Sequence, residues 1–341
     1  MSSSVTTLTQ QPFSVRSVTR LLGRIGPAYY ALLILLIVAA ASQERFLTGP
    51  NLTNLIRNST VLGIVTIGQI ATMLVAGIDL SVGSVISLTT VIAALQMESH
   101  PEATPGIVLL CLLIGLLIGA VNGFGVGYLR LNPLIFTLAS GTAIQGLTLH
   151  LLYSPGGSVT REFRELSRGA IGPFDCSFCP GGTLGPIPYA AIYLLVLYVV
   201  GTWVLKRTVF GLAVYAVGGN EASARLSGLR TERIKLTVYM LSSIFAVLGG
   251  LFLASRIGSG DPLVGDPYTL DSITAGVLGG TSLFGGVGDL WGGLAAVLTL
   301  GVLSTMLNFN NVSPFYQFII KGVILIGALA IGYLRTRRKT V

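Results

Sequence analysis

The sequence predicts an all-α integral membrane protein of about ten transmembrane helices with glycine-rich breaks, and three observations carry that prediction. Apolar residues make up 52% of the chain and charged residues only 10%, against about 25% charged in soluble proteins. The apolar residues gather in runs close to the roughly 20 that a helix needs to cross a ~30 Å hydrocarbon core. These runs lack the alternation of a barrel strand. Backbone polar groups in lipid must be satisfied inside each element, which leaves helices.

Ten such segments fall near 27 to 42, 59 to 76, 82 to 97, 106 to 129, 133 to 153, 188 to 205, 236 to 254, 270 to 286, 290 to 307 and 314 to 334. The third and eighth are the weakest. The first, preceded by arginines and ending Ala39-Ala40-Ala41, has the outline of a cleavable signal; nine further apolar segments make it a signal anchor instead. The chain therefore divides into an N-terminal segment over 1–26, a polytopic domain over 27–334 and a basic tail over 335–341.

Arginine and lysine set the orientation. Arg16, Arg20 and Arg24 precede the first segment and Arg335-Thr336-Arg337-Arg338-Lys339 follows the last, which predicts both termini in the cytoplasm and an even number of spans. With ten helices the inside also receives Arg130 and the basic residues between 206 and 235, while the outside receives Arg45, Arg57, Arg161, Arg164, Arg168 and Arg256. The net charge of +8 is thus mostly a topology signal, and nucleic acid is not an expected partner.

Lys206 to Lys235 is a polar island with six basic and two acidic residues, expected as a cytoplasmic loop; residues 154–187 form the expected outer loop. Inside the island, Asn220 has the chemistry of an N-cap, Glu221 suits the positive helix end and Gly228 suits the C′ position, so a helix of about two turns is predicted. A short capped helix on an exposed loop has the form of a docking knob.

Two glycine-rich stretches interrupt the apolar pattern, at Gly77 to Ser84 and at Gly279 to Asp289. Non-helical backbone at membrane depth is tolerated where protein buries it or where it lines a watery cavity. Asp79, Ser81, Ser84, Thr281 and Ser282, with Thr274 and Asn122, are the candidate solute-path residues. The alternatives are an Asp79 that starts the third helix beside serines facing water, and glycines that serve close helix packing. Lys321 stands seven residues after Pro314, about 10 Å into the last helix, where an ammonium needs a partner or must snorkel. Asp271 is the expected structural partner.

Cys111 is expected as a packing residue, and Cys176 and Cys179 in a C-S-F-C as a local disulfide on the oxidising side. His100 and His150 are too scattered for a metal site with them. None of Lys206, Lys235, Lys321 and Lys339 follows a glycine, so there is no Walker A phosphate loop, and no HExxH or GxSxG is present. Such a chain has no catalytic machinery and no motor of its own. It moves solute along a gradient or borrows energy from a separate subunit.

Four motifs in order, GIDLSVGS at 77–84, YAVGGNEASARLSG at 215–228, LGGTSLFGG at 278–286 and YQFIIKGVILI at 316–326, resemble the membrane permease subunits of bacterial ribose-type monosaccharide ABC importers. The resemblance runs from about residue 50 to 334 and implies an inner-membrane permease, paired with a copy or a paralogue. Its implied partners are a periplasmic sugar-binding protein and a cytoplasmic ATP-binding subunit that uses ATP and Mg, with no cofactor on this chain. Asn220, Glu221, Ala222, Arg225 and Gly228 then belong to the ATPase-coupling helix. Glu221-Ala222 is followed by Ser223, and glycine comes seven residues after Glu221, a departure from the wider superfamily's EAA pattern with its glycine one residue earlier. The loop from Pro155 to Pro186 is longer than the family pattern. Nucleoside, branched-chain amino acid or signalling furanose cargo, or an ion-coupled secondary carrier using Asp79 and Lys321, are the alternatives.

Overall fold

The computed structural model describes residues 27–172, 174–175, 183–184 and 186–337. Each of the ten apolar segments contains a helix: α1 (Pro27–Ser42), α2 (Gly49–Leu74), α3 (Val82–Ser99), α4 (Thr104–Gly127), α5 (Pro133–Leu151), α7 (Tyr189–Arg207), α10 (Thr231–Ile257), α11 (Asp266–Leu278), α12 (Leu290–Phe309) and α13 (Pro314–Arg337). Three shorter helices lie between them, α6 (Arg161–Arg168), α8 (Val209–Gly219) and α9 (Glu221–Leu226). Among the described residues, six helices are long and apolar enough to cross a membrane, and α1, α8 and part of α13 are shorter apolar helices.

The sequence expectation needs correcting in three places. The eighth segment is not helical to 286: α11 stops at Leu278 after 13 residues, about 20 Å of helix, short of a ~30 Å core. Gly280 takes a φ of 93° there and turns the chain away. The polar island is not a loop around one short helix, because Val209–Gly219 is also helical and buries Gly211, Ala213, Val214, Val217 and Gly218. The outer loop holds α6 and two minimal antiparallel pairs, β1 (Ala170–Ile171) with β4 (Ile187–Pro188) and β2 (Phe174–Asp175) with β3 (Thr183–Leu184), so the chain is not purely helical. The connector at 258–265, which falls between the seventh and eighth segments, is tied inward: Gly156 and Gly260 bridge their backbones, and Gly265 N–H donates to Ser87 Oγ at 2.9 Å.

α10 is the central helix, packed on α2, α3 and α4. Its contact with α4 is close because Gly115, Gly119, Gly123 and Gly127 recur every fourth residue on one face of α4. A Cβ on Gly119 would stand 2.6 Å from Met240 Cα, and one on Gly123 2.7 Å from Leu236 Cα. Small residues at this spacing let two backbones approach where lipid gives no hydrophobic drive to bring them together. Val61, Ile64, Val65 and Leu74 of α2, Val85 and Ile86 of α3 and Val247, Leu251 and Phe252 of α10 fill the main core. The outer faces stay apolar, as Leu109, Leu113 and Leu117 of α4 and Leu195, Val199 and Trp203 of α7 illustrate. For a chain whose solvent is hydrocarbon, that exposure is the stable arrangement.

Candidate functional site

The first break begins where α2 ends. Ala76 N–H donates to Met73 O at 3.0 Å and Gly77 N–H to Thr72 O at 2.9 Å, the paired bonds of a Schellman closure, with Ala76 at a φ of 58° in the position glycine usually holds. The chain then meets a buried polar knot. Asp79 Oδ1 accepts from Ser81 N–H at 3.0 Å and from Ser81 Oγ at 2.6 Å, and its Oδ2 accepts from Ser242 Oγ of α10 at 2.9 Å. Asn122 of α4 donates through Nδ2 to Ser81 Oγ at 2.8 Å. Leu80 N–H donates to Thr137 Oγ1 of α5 at 3.0 Å, and Tyr239 OH donates to Ile78 O at 3.3 Å.

The knot therefore ties the start of α3 to α4, α5 and α10. Asp79, Ser81, Asn122 and Thr137 are all fully buried, so the serines do not all face water at a turn; Ser84, a turn further on, is half-buried. Ser242 stands eleven residues into α10, about 16 Å along its axis. Of the seven predicted path residues, Asp79, Ser81 and Asn122 come together here. Thr137, Tyr239 and Ser242 were missed, and the available signal was a hydroxyl side chain inside an otherwise apolar run.

The second break holds itself mainly through backbone. Thr281 N–H donates to Gly276 O at 2.9 Å, Ser282 N–H to Val287 O at 2.8 Å and Gly286 N–H to Leu74 O at 3.0 Å. Ser282 Oγ accepts from Phe284 N–H at 3.1 Å, and the Phe284 ring is exposed. Thr281 is buried and Ser282 half-buried. Asp289 closes the segment as the N-cap of α12 and pairs with Lys206 Nζ of α7 at 2.6 Å. Thr274 lies apart from both polar groups, its Oγ1 donating to Leu270 O at 2.8 Å within α11.

Lys321 Nζ donates to Asp271 Oδ2 at 2.6 Å, joining α13 to α11. The pair borders a cleft of about 280 Å³ lined also by Asp266, Leu270, Thr274, Phe318 and Leu325. Gln317 Nε2 of α13 donates to Asn308 Oδ1 at 2.8 Å and makes a second polar tie. Cys176 and Cys179 lie outside the described residues; Cys111 is a buried free thiol. Among the described residues, no group of three His, Cys, Asp or Glu could hold a metal.

The knob is α9. Asn220 Oδ1 accepts from Ser223 N–H at 2.9 Å and caps it, and Gly228 follows its end at a φ of 86°. A chain of alternating charges fixes it to the body. Glu221 Oε2 pairs with Lys235 Nζ at 2.6 Å, Arg225 with Glu232 at 2.8 Å, and Glu232 with Arg130 at 3.7 Å. Burial pushes the Glu221 carboxyl up, but the Lys235 hydrogen bond and charge, with help from Thr231 and Arg225, outweigh it and hold the group below its ordinary value. Ala222 and Leu226 point outward, and Leu226 is 90% exposed.

The family described as the branched-chain amino acid transport system permease component matches residues 51–329. The ribose import permease protein RbsC of Haemophilus influenzae is 36% identical over 312 residues, covering 91% of this chain and 94% of that one. RbsC of Bacillus subtilis is 36% identical over 311 residues, covering 90% and 91%. The galactose/methyl galactoside import permease protein MglC of Escherichia coli is 35% identical over 333 residues, covering 92% and 95%. No solved structure matches the chain. It is a multi-pass membrane protein, and it belongs to this family of import permeases, with the ribose-type permeases among its relatives.

Proposed function

We propose that the chain forms the inner-membrane path of an ABC importer for a monosaccharide, delivered by a periplasmic binding protein and driven by a separate cytoplasmic ATPase. A monosaccharide is the cargo because the relatives are named for ribose and for galactose. The chain carries no catalysis; ATP and Mg act on the partner. A second permease subunit, a copy or a paralogue, completes the path. Ten segments cross the membrane, the eighth as α11 continued by the second break, both termini and residues 206–235 face the cytoplasm, and residues 154–187 face the binding protein.

The observation that carries this reading is the knob. It is a capped six-residue helix with an exposed leucine, held by ion pairs at the base of α10, in a chain that has no phosphate loop. Nucleotide-driven closure of the ATPase around Glu221, Ala222, Arg225 and Leu226 would move α7 and α10 as rigid bodies. The solute path runs beside the two breaks, where Ser84, Thr281 and Ser282 supply hydroxyls and Asp79, Ser81 and Asn122 hold the wall, while Thr274 lines the Lys321–Asp271 cleft. Replacing 221–227 by a flexible polar linker tests the reading: ATP-driven uptake is expected to vanish while the membrane body still assembles. Intact transport in that variant would remove the knob from the mechanism.

A further inference from the structure

We infer that Gly218 is the positioning residue through which the knob acts on both breaks, an inference that rests on the proposed coupling to an ATPase. α8 runs straight into the knob, with Gly219 followed by the cap Asn220. One residue earlier, the Gly218 Cα lies over the Leu74 O to Gly286 N hydrogen bond. A Cβ there would fall on the Leu74 carbonyl oxygen and 2.6 Å from Gly286 N. That single bond, 3.0 Å long, is where the end of α2 meets the second break. Leu74 is followed directly by the Schellman closure and the Asp79 knot, so one backbone contact reaches both non-helical segments.

Side chains from the same stretch reinforce it. Tyr215 OH of α8 donates to Gly288 O at 2.9 Å. Lys206, at the end of α7, pairs with Asp289 at 2.6 Å. On the other side, a Cβ on Gly285 would come within 2.6 Å of Gly218 O and 2.9 Å of Ala76 N. Backbone touching backbone leaves no side chain to absorb a displacement, so a shift of the knob passes on undamped. Gly219 differs in one useful way: a Cβ there would meet nothing within 4 Å.

The test compares Gly218→Ala with Gly219→Ala in two assays. In the purified chain, hydrogen exchange at 75–81 and 279–289 is expected to rise about tenfold or more for Gly218→Ala and to stay unchanged for Gly219→Ala. In proteoliposomes with the ATPase and binding protein, radiolabelled ribose taken up per ATP hydrolysed is expected to fall about tenfold for Gly218→Ala alone, with the ATPase still co-purifying. Unchanged exchange and an unchanged ratio in Gly218→Ala would overturn the inference. Should that variant fail to fold, Tyr215→Phe and Lys206→Gln decide: a fall of about two- to fivefold in the ratio supports it, and wild-type ratios in both overturn it. A wild-type complex that hydrolyses ATP without moving solute counts against the function, while the exchange assay still judges the junction.

Discussion

The two breaks solve the same problem in opposite ways. The first hides its free backbone behind side chains, with Asp79 accepting three hydrogen bonds and Thr137 and Tyr239 meeting the adjoining peptides. The second folds back on its own peptides, leaves Phe284 exposed and leans on Leu74 and Lys206. A knot of side chains from α4, α5 and α10 fixes geometry. A loop closed by its own amides and by glycines can change shape at smaller cost, because fewer buried groups lose their partners.

That difference is broken most severely at Asp79. Asp79→Leu strands two hydroxyls and an amide, at about 1–3 kcal/mol for each, and is expected to lower the thermal midpoint in detergent by many degrees or to prevent assembly. Asp79→Asn retains an acceptor and is expected to be milder. A leucine variant with the wild-type midpoint would show that the knot does not hold the first break.

A smaller effect is expected at the pair that pins α13. Lys321→Met leaves Asp271 facing an apolar cleft, a loss of about 3 kcal/mol for a largely buried pair. Lys321→Met with Asp271→Leu is expected to regain more than half of it in the same melting assay. Failure of the double variant to recover would mean that the two side chains act separately.

At the second break, Ser282→Ala is expected to change stability by no more than about 0.5 kcal/mol, while uptake shifts by about two- to fivefold. A large loss of stability there would place the two breaks in one class. The smallest effect is the knob's response to pH. The Glu221 carboxyl lies below its ordinary 4.5, so its contribution is complete above that value and is lost as pH falls through the lower folded value. A nitroxide on Ser227→Cys is expected to gain mobility only in strong acid, and Glu221→Gln to reduce that pH dependence, the Arg225–Glu232 pair remaining.

The helical segments were legible because lipid imposes a length and a polarity on each. The knob was legible too, because Asn220 and Gly228 have local meaning that needs no tertiary contact. The end of α11 was legible only in part: the glycine-rich stretch from Gly279 reads as a break, yet the eighth segment reads on to 286 because apolar residues continue through Leu283 and Phe284 while the backbone has already turned at Gly280. The inward tie of the 258–265 connector escaped because its bond from Gly265 to Ser87 links residues far apart in the chain. Asp79, Ser81 and Asn122 were visible as polar residues in apolar surroundings, but their joining to Ser242 and Thr137 depends on which helices become neighbours. The seat of Gly218 over the Leu74 to Gly286 bond is a property of the folded chain alone.

The most direct measurement places the purified chain in liposomes with and without its ATP-binding subunit and a sugar-loaded binding protein. The account predicts accumulation of the monosaccharide carried by the binding protein only with both partners and ATP present, and none from a proton or sodium gradient across liposomes containing the chain alone. Concentrative uptake by the lone chain on an ion gradient would contradict it.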